Sequence, residues 1–130
     1  MKRRIIVSSL MVLGALCLTA AGALAKEVRG VTDTEIKIGC LVDLSGPGKY
    51  GGPPIAQAFK DCVAWVNDNG GIHGRKINLV VEDNGIMPNT TMAAARKIIL
   101  KDGVFAIGFN LGSAGASAIL PLCEENEVVL

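Results

Sequence analysis

From Glu35 the chain reads Glu-Ile-Lys-Ile-Gly-Cys-Leu-Val, so that Ile36 and Ile38 alternate with Lys37 before the run becomes wholly apolar. That pattern predicts a strand over 35–42 whose second half lies inside a sheet covered on both faces. The next ten residues, 43–52, hold four glycines and a proline and read as a loop. Pro53 and Pro54 fit the first turn of a helix, where a missing N–H costs little. Ile55, Ala58, Phe59, Cys62, Trp65 and Val66 then recur at helical spacing, and Asn69-Gly70-Gly71 signals a left-handed helix end. A second strand is expected over 76–82, broken by Asp83-Asn84-Gly85. A second helix over 89–101 would take Asn89 or Thr90 as its cap and bury Met92, Ala95, Ile98 and Ile99 before stopping at Asp102-Gly103. A third strand over 104–108 and a third helix over 113–126 follow, with Pro121 expected to kink that helix, and 128–130 opens a fourth strand.

Strands alternating with helices define the α/β class, here a Rossmann-like parallel sheet with helices on both faces. With the common strand order 2-1-3-4, the first helix covers one face and the other two cover the opposite face. The order then reverses between strands 1 and 3, and ligands of such sheets bind there, outside the carboxyl ends of the strands. Two loops flank that point, 43–52 and 109–113.

The second loop lies in Gly-Phe-Asn-Leu-Gly-Ser-Ala-Gly, residues 108–115. Its glycines are spaced G-x-x-x-G-x-x-G, which is neither the dinucleotide pattern nor its short-chain dehydrogenase variant, and it follows the third strand rather than the first. What remains is a helix N-terminus with Ser113 at the cap or first helical position. Such a terminus favours a carboxylate by about 0.3 to 1 kcal/mol when exposed. The same residues also fit a serine that does no more than cap its helix. His73, the only histidine, stands in a turn with no nucleophile in a motif beside it, and Glu82-Asp83 are adjacent strand residues that point to opposite faces, so no catalytic group is expected.

The first residues change the setting. Lys2-Arg3-Arg4, an apolar run over 5–24 and the small-residue site Ala23-Leu24-Ala25 read as a signal peptide spanning 1–25, which implies a periplasmic or secreted protein. Its removal would leave ten Lys and Arg against twelve Asp and Glu, a net charge of −2, so no basic footprint for nucleic acid is present. Three cysteines, Cys40, Cys62 and Cys123, would remain. They match no metal-ligand spacing and read as small buried residues, with a Cys40–Cys62 bridge possible in an oxidising compartment.

Three segments together carry a resemblance: Gly30 to Gly52, Asn67 to Gly85 and Gly103 to Leu130, above all Ile38 to Pro47 with Tyr50-Gly51, and Asn69-Gly-Gly-Ile-His-Gly-Arg-Lys76. They resemble the start of periplasmic solute-binding proteins of the branched-chain amino acid type, the receptors of ABC importers. The likeness implies that residues 26–130 form the N-terminal part of the first of two Rossmann-like lobes that close on a small molecule and deliver it to a membrane permease. It implies ligand contacts at Tyr50, Leu111, Gly112 and Ser113, an amino acid or other small carboxylate or amide as ligand, no cofactor and no enzymatic activity. A disulfide known in leucine/isoleucine/valine-binding members falls here on Met87 and Leu111 or Gly112, so loop 83–88 must be held another way. A ligand-sensing domain of the same fold remains open as a second reading, and a Rossmann-type oxidoreductase as a weaker third.

Overall fold

The computed structural model describes residues 27–130. The expected signal peptide at 1–25 lies outside the described residues. Three parallel strands, β1 (Glu35–Val42), β2 (Lys76–Asp83) and β3 (Ala106–Asn110), form one sheet in the order β2-β1-β3. Val129 adds a parallel bridge to Ala106, and its carbonyl accepts the N–H of Ile107 at 2.7 Å, so the chain re-enters the sheet outside β3 as the order 2-1-3-4 requires. β1 is central, and its residues from Gly39 to Val42 are all buried.

Helix α1 (Gly52–Asp68) covers one face, where Ile55, Ala56 and Phe59 pack on Cys40, Val42, Leu79, Val81 and Phe109. The opposite face carries α2 (Pro88–Arg96), its continuation as a π-helical turn (Lys97–Lys101), and α3 (Ser113–Glu125), with Leu41, Ile98, Ile99, Val104, Ile107, Ile119 and Leu122 at their centre. The wider π turn keeps both Ile98 and Ile99 in the core, and its end is tied by Asp102 N–H donating to Lys97 O at 3.1 Å.

Three local expectations are corrected. α2 starts at Pro88 with Met87 as its cap residue, so neither Asn89 nor Thr90 caps it, because proline is already pre-set for the first helical position. β3 runs two residues later than 104–108, because Val104 is drawn fully into the core, its N–H closing on Ile98 O at 3.1 Å, and pairing begins only where Phe105 N–H reaches Lys37 O. α3 includes Pro121 within its span, on the exposed side. On α1, apolar side chains occur all round the helix. The sheet takes the stripe of Ile55, Ala56, Phe59, Val63 and Val66, leaving Ala58, Cys62 and Trp65, which is 67% exposed, on the outer side.

The helix body therefore separates Cys62 from Cys40, and all three described cysteines are free thiols. Burial pushes the Cys40 thiol up, and burial together with Glu124 does the same at Cys123. Since the thiolate is the reactive form, iodoacetamide should alkylate Cys62 in the native chain and reach Cys40 and Cys123 only after denaturation. Peptide mass mapping reads this directly, and equal labelling of the three would contradict the packing of α1.

β3 carries one irregularity. Gly39 pairs with Ile107 but Cys40 pairs with Phe109, so Gly108 is an extra residue, a β-bulge. Side chains two apart on a regular strand share a face. Here Ile107 lies in the α2/α3 core while Phe109 lies under α1, its ring centroid 5.3 Å from that of Phe59. The bulge thus turns Asn110 toward the other face, at the strand end where the site forms.

Candidate functional site

Both loops expected to flank the switch point lie at the carboxyl ends of β1 and β3. The first is built around Asp43, which is fully buried although it follows the apolar run directly. One carboxylate oxygen accepts the N–H of Gly46 and the other that of Gly48, so the chain curls over the carboxylate. A methyl group on Gly46 would stand 2.8 Å from that carboxylate, and one on Gly52 would stand 1.7 Å from the Asp43 carbonyl oxygen, which explains the glycines. Asp83, at the end of β2, accepts from Leu44 N–H at 2.9 Å and Gly85 N–H at 3.0 Å. The Ser45 hydroxyl, with those backbone groups, holds the Asp83 carboxyl below the usual carboxylate range. Glu82 points the other way, to Lys97 of the π turn, which also lies 3.5 Å from Asp102.

Loop 83–88 is held by Asn84 in place of a covalent bridge. Fully buried, Asn84 donates through Nδ2 to Leu111 O at 2.8 Å and Asn110 Oδ1 at 3.1 Å, and through Oδ1 accepts the N–H of Ile86 at 3.0 Å. Its carbonyl accepts the Thr90 hydroxyl. Asn110 in turn donates to Gly112 O at 2.9 Å. Ile86, rather than the exposed Met87, faces Gly112: a methyl group on Gly112 would come within 3.0 Å of Ile86 Cγ1. Gly112 also has φ 103, a conformation that side chains disfavour.

The four expected contact residues are thereby placed. Tyr50 projects from the first loop, 86% exposed, with the Lys49 ammonium 5.6 Å from its ring centroid. Leu111 has both backbone groups engaged, its N–H by Leu41 O at 2.8 Å and its carbonyl by Asn84, so it offers only its side chain. Gly112 is the cap residue of α3, and Ser113 is its first helical residue, exposed, with no capping bond from its hydroxyl. The first N–H groups of α3 point out of the helix end without intrahelical partners, as at every helix start. The positive end of the helix dipole and a hydroxyl thus meet solvent at one spot, an arrangement that suits an anion.

The glycines of 108–115 have packing roles. Gly108 lies against Ile38, Gly112 against Ile86, and Gly115 against Thr91 where α2 and α3 touch. Asp43, Asn84, Ile86 and Asn110 were not singled out by sequence reasoning. For Asp43 a signal existed, an Asp followed by Gly46 and Gly48 that can fold back on it. For the other three the partner lies 26 residues or more away and no local pattern marks it. A surface hollow of about 610 Å³, lined by Glu27, Val28, Arg29, Val31, Thr32, Asp33 and Arg75, lies at the opposite, amino ends of the strands.

A three-stranded parallel sheet with helices on both faces, and with the loops after β1 and β3 side by side at its switch point, is the architecture of a Rossmann-like lobe. The chain belongs to the periplasmic binding protein family, whose model matches residues 35–130. Among curated relatives, the Leu/Ile/Val-binding protein BraC3 of Rhizobium johnstonii is 28% identical over 113 residues, which make up 87% of this chain and 30% of that protein. The Leu/Ile/Val-binding protein homolog 1 of Brucella abortus is 30% identical over 79 residues, 60% of this chain and 21% of that protein. Among solved structures, a fatty acid ABC transporter substrate-binding protein from Thermomonospora curvata superposes with a TM-score of 0.70 at 36% identity, over 79% of this chain and 26% of that one. The branched-chain amino acid transporter substrate binding protein LivJ from Streptococcus pneumoniae, solved with isoleucine, shares the fold with a TM-score of 0.68 at 23% identity, over 73% of this chain and 27% of that one. The chain spans less than a third of the length of the relatives it matches.

Proposed function

We propose that this chain is the N-terminal part of the first lobe of an extracytoplasmic substrate-binding protein of an ABC importer, with residues 1–25 as its export signal. Its ligand is an amino acid of the branched-chain type or a similar small carboxylate or amide, passed on to a membrane permease. The observation that carries this reading is the open N-terminus of α3 at the switch point, with Ser113 exposed and uncapped beside Gly112. The relatives support the ligand class, because leucine, isoleucine, valine and a fatty acid share one feature, a carboxylate joined to an apolar body. The carboxylate would sit on the N–H groups of Gly112 and Ser113 and on the Ser113 hydroxyl. Leu111 and Tyr50 would flank the apolar body. No proton or covalent bond needs to change hands, so the role proposed is binding without catalysis.

An exposed helix terminus supplies about 0.3 to 1 kcal/mol, and each 1.4 kcal/mol is tenfold in affinity. That is enough to orient a ligand but not to hold it tightly, so a single open lobe binds weakly. Titration of the ¹⁵N-labelled chain with leucine, isovalerate and leucinol tests this. Leucine and isovalerate should move the amide signals of Gly112, Ser113 and Ala114 saturably, and leucinol, which lacks the carboxylate, should not. Equal responses to all three, or none to any, would overturn the assignment of the carboxylate to α3.

A further inference from the structure

We infer that Ile86 is a positioning residue for the cleft: its side chain, wedged between Gly48 and Gly112, sets the separation of the first ligand loop from the N-terminus of α3. The inference rests on the ligand-binding reading above. Ile86 has φ 56, in the left-handed region, where a β-branched residue is a genuine outlier. Its neighbour Gly85 has φ 54 and makes the same kind of turn without a side chain. A glycine at position 86 would therefore serve the turn better, and what isoleucine adds is its side chain.

That side chain reaches two loops with two different atoms. Cγ1 lies where a methyl group on Gly112 would come within 3.0 Å, and Cδ1 lies where a methyl group on Gly48 would come within 3.3 Å. Both facing positions are glycine, so the wedge meets backbone directly. Its own backbone is fixed from behind by Asn84 Oδ1, at 3.0 Å from the Ile86 N–H. Asn84 also holds Leu111 O, so one buried amide anchors both the wedge and the loop it presses on. Strain of this kind persists where the surroundings over-determine it, and such places cluster at ligand clamps. A rigid spacer of fixed width leaves the cleft walls in place before a ligand arrives, which lowers the ordering cost of binding.

The two contacts can be separated by substitution. Ile86→Val keeps Cγ1 and removes Cδ1, whereas Ile86→Gly removes both. In ligand-free ¹⁵N spectra, Ile86→Val should shift the amides of Gly46 to Gly48 and leave Gly112 and Ser113 in place, and Ile86→Gly should shift both groups. With leucine as the probe, Ile86→Gly should weaken binding about tenfold in a chain that stays folded. Amides of Gly112 and Ser113 unmoved in Ile86→Gly, or leucine affinity equal to that of the unsubstituted chain, would overturn the inference. If the unsubstituted chain ignores leucine, the ligand reading fails, while the coupling of the loops is still decided by the ligand-free spectra. Should Ile86→Gly not fold, nuclear Overhauser contacts from the Ile86 δ-methyl to Gly48 and from Cγ1 protons to Gly112 in the unsubstituted chain support the wedge if both appear and refute it if either is missing.

Discussion

Gly52→Ala is expected to destabilise the chain by about 3 kcal/mol or more, the upper part of what forced overpacking costs. Gly52 is the first residue of α1, and a methyl group there would lie 1.7 Å from the carbonyl oxygen of Asp43 and 2.6 Å from its carbonyl carbon. Backbone cannot rotate aside as a side chain could, so either α1 or the Asp43 loop must move, and that loop is pinned by the buried Asp43 carboxylate. Alanine is worth roughly 0.5 to 1 kcal/mol over glycine within a helix, too little to offset the collision. A fall in Tm of roughly 12 to 24 °C follows for a domain of this size, measurable by circular dichroism. Gly51→Ala is the control, because its methyl group would meet nothing closer than Gly48 O at 3.6 Å. A Gly52→Ala chain melting within a degree or two of the Gly51→Ala chain would contradict the described entry to α1.

The second large effect is expected at Asn84. Asn84→Asp preserves shape but turns the donating Nδ2 into an oxygen facing the Leu111 carbonyl and the Asn110 side-chain oxygen. Each buried polar group left unpaired costs about 1 to 3 kcal/mol, so a loss of roughly 3 kcal/mol is expected near neutral pH. Burial raises the pKa of a new carboxyl, and a protonated carboxyl can again donate to Leu111 O. The sign follows: relative to the unsubstituted chain, the variant should recover stability as pH falls and lose it as pH rises through that raised value. Urea titrations at pH 4 and pH 7.5 check this. A stability deficit of the same size at both would show that Nδ2 donates nothing that matters.

How much of the site could be read in advance depends on how far apart its partners lie. The loop 43–52 was legible because its glycines, Pro47 and Tyr50 lie close together in sequence, and the start of α3 was legible because Gly112 and Ser113 stand between an apolar run and a helical one. The role of Asn84 was not, since an Asp-Asn-Gly triplet reads as a turn whatever its amide bonds. Nor was the choice of Ile86 over Met87 against Gly112: one residue of register decides it, and a left-handed isoleucine has no signature in a string of letters. Cys62 and Trp65 were misplaced on the inner face of α1 for a related reason, because a helix apolar on most sides does not announce which side the sheet will take.

By itself the amino-acid sequence determined the α/β alternation, the buried central strand, the turn positions and the two loops at the switch point. All of these follow from periodicity and turn chemistry within a few residues. Tertiary structure alone decided the bulge at Gly108, which places Phe109 beneath α1 and so turns Asn110 toward Asn84. It also decided which face α1 buries and which side chain keeps the two loops apart. The physical reason is the same each time: these outcomes depend on the shapes that separate segments present to one another once packed, and local pattern does not encode them.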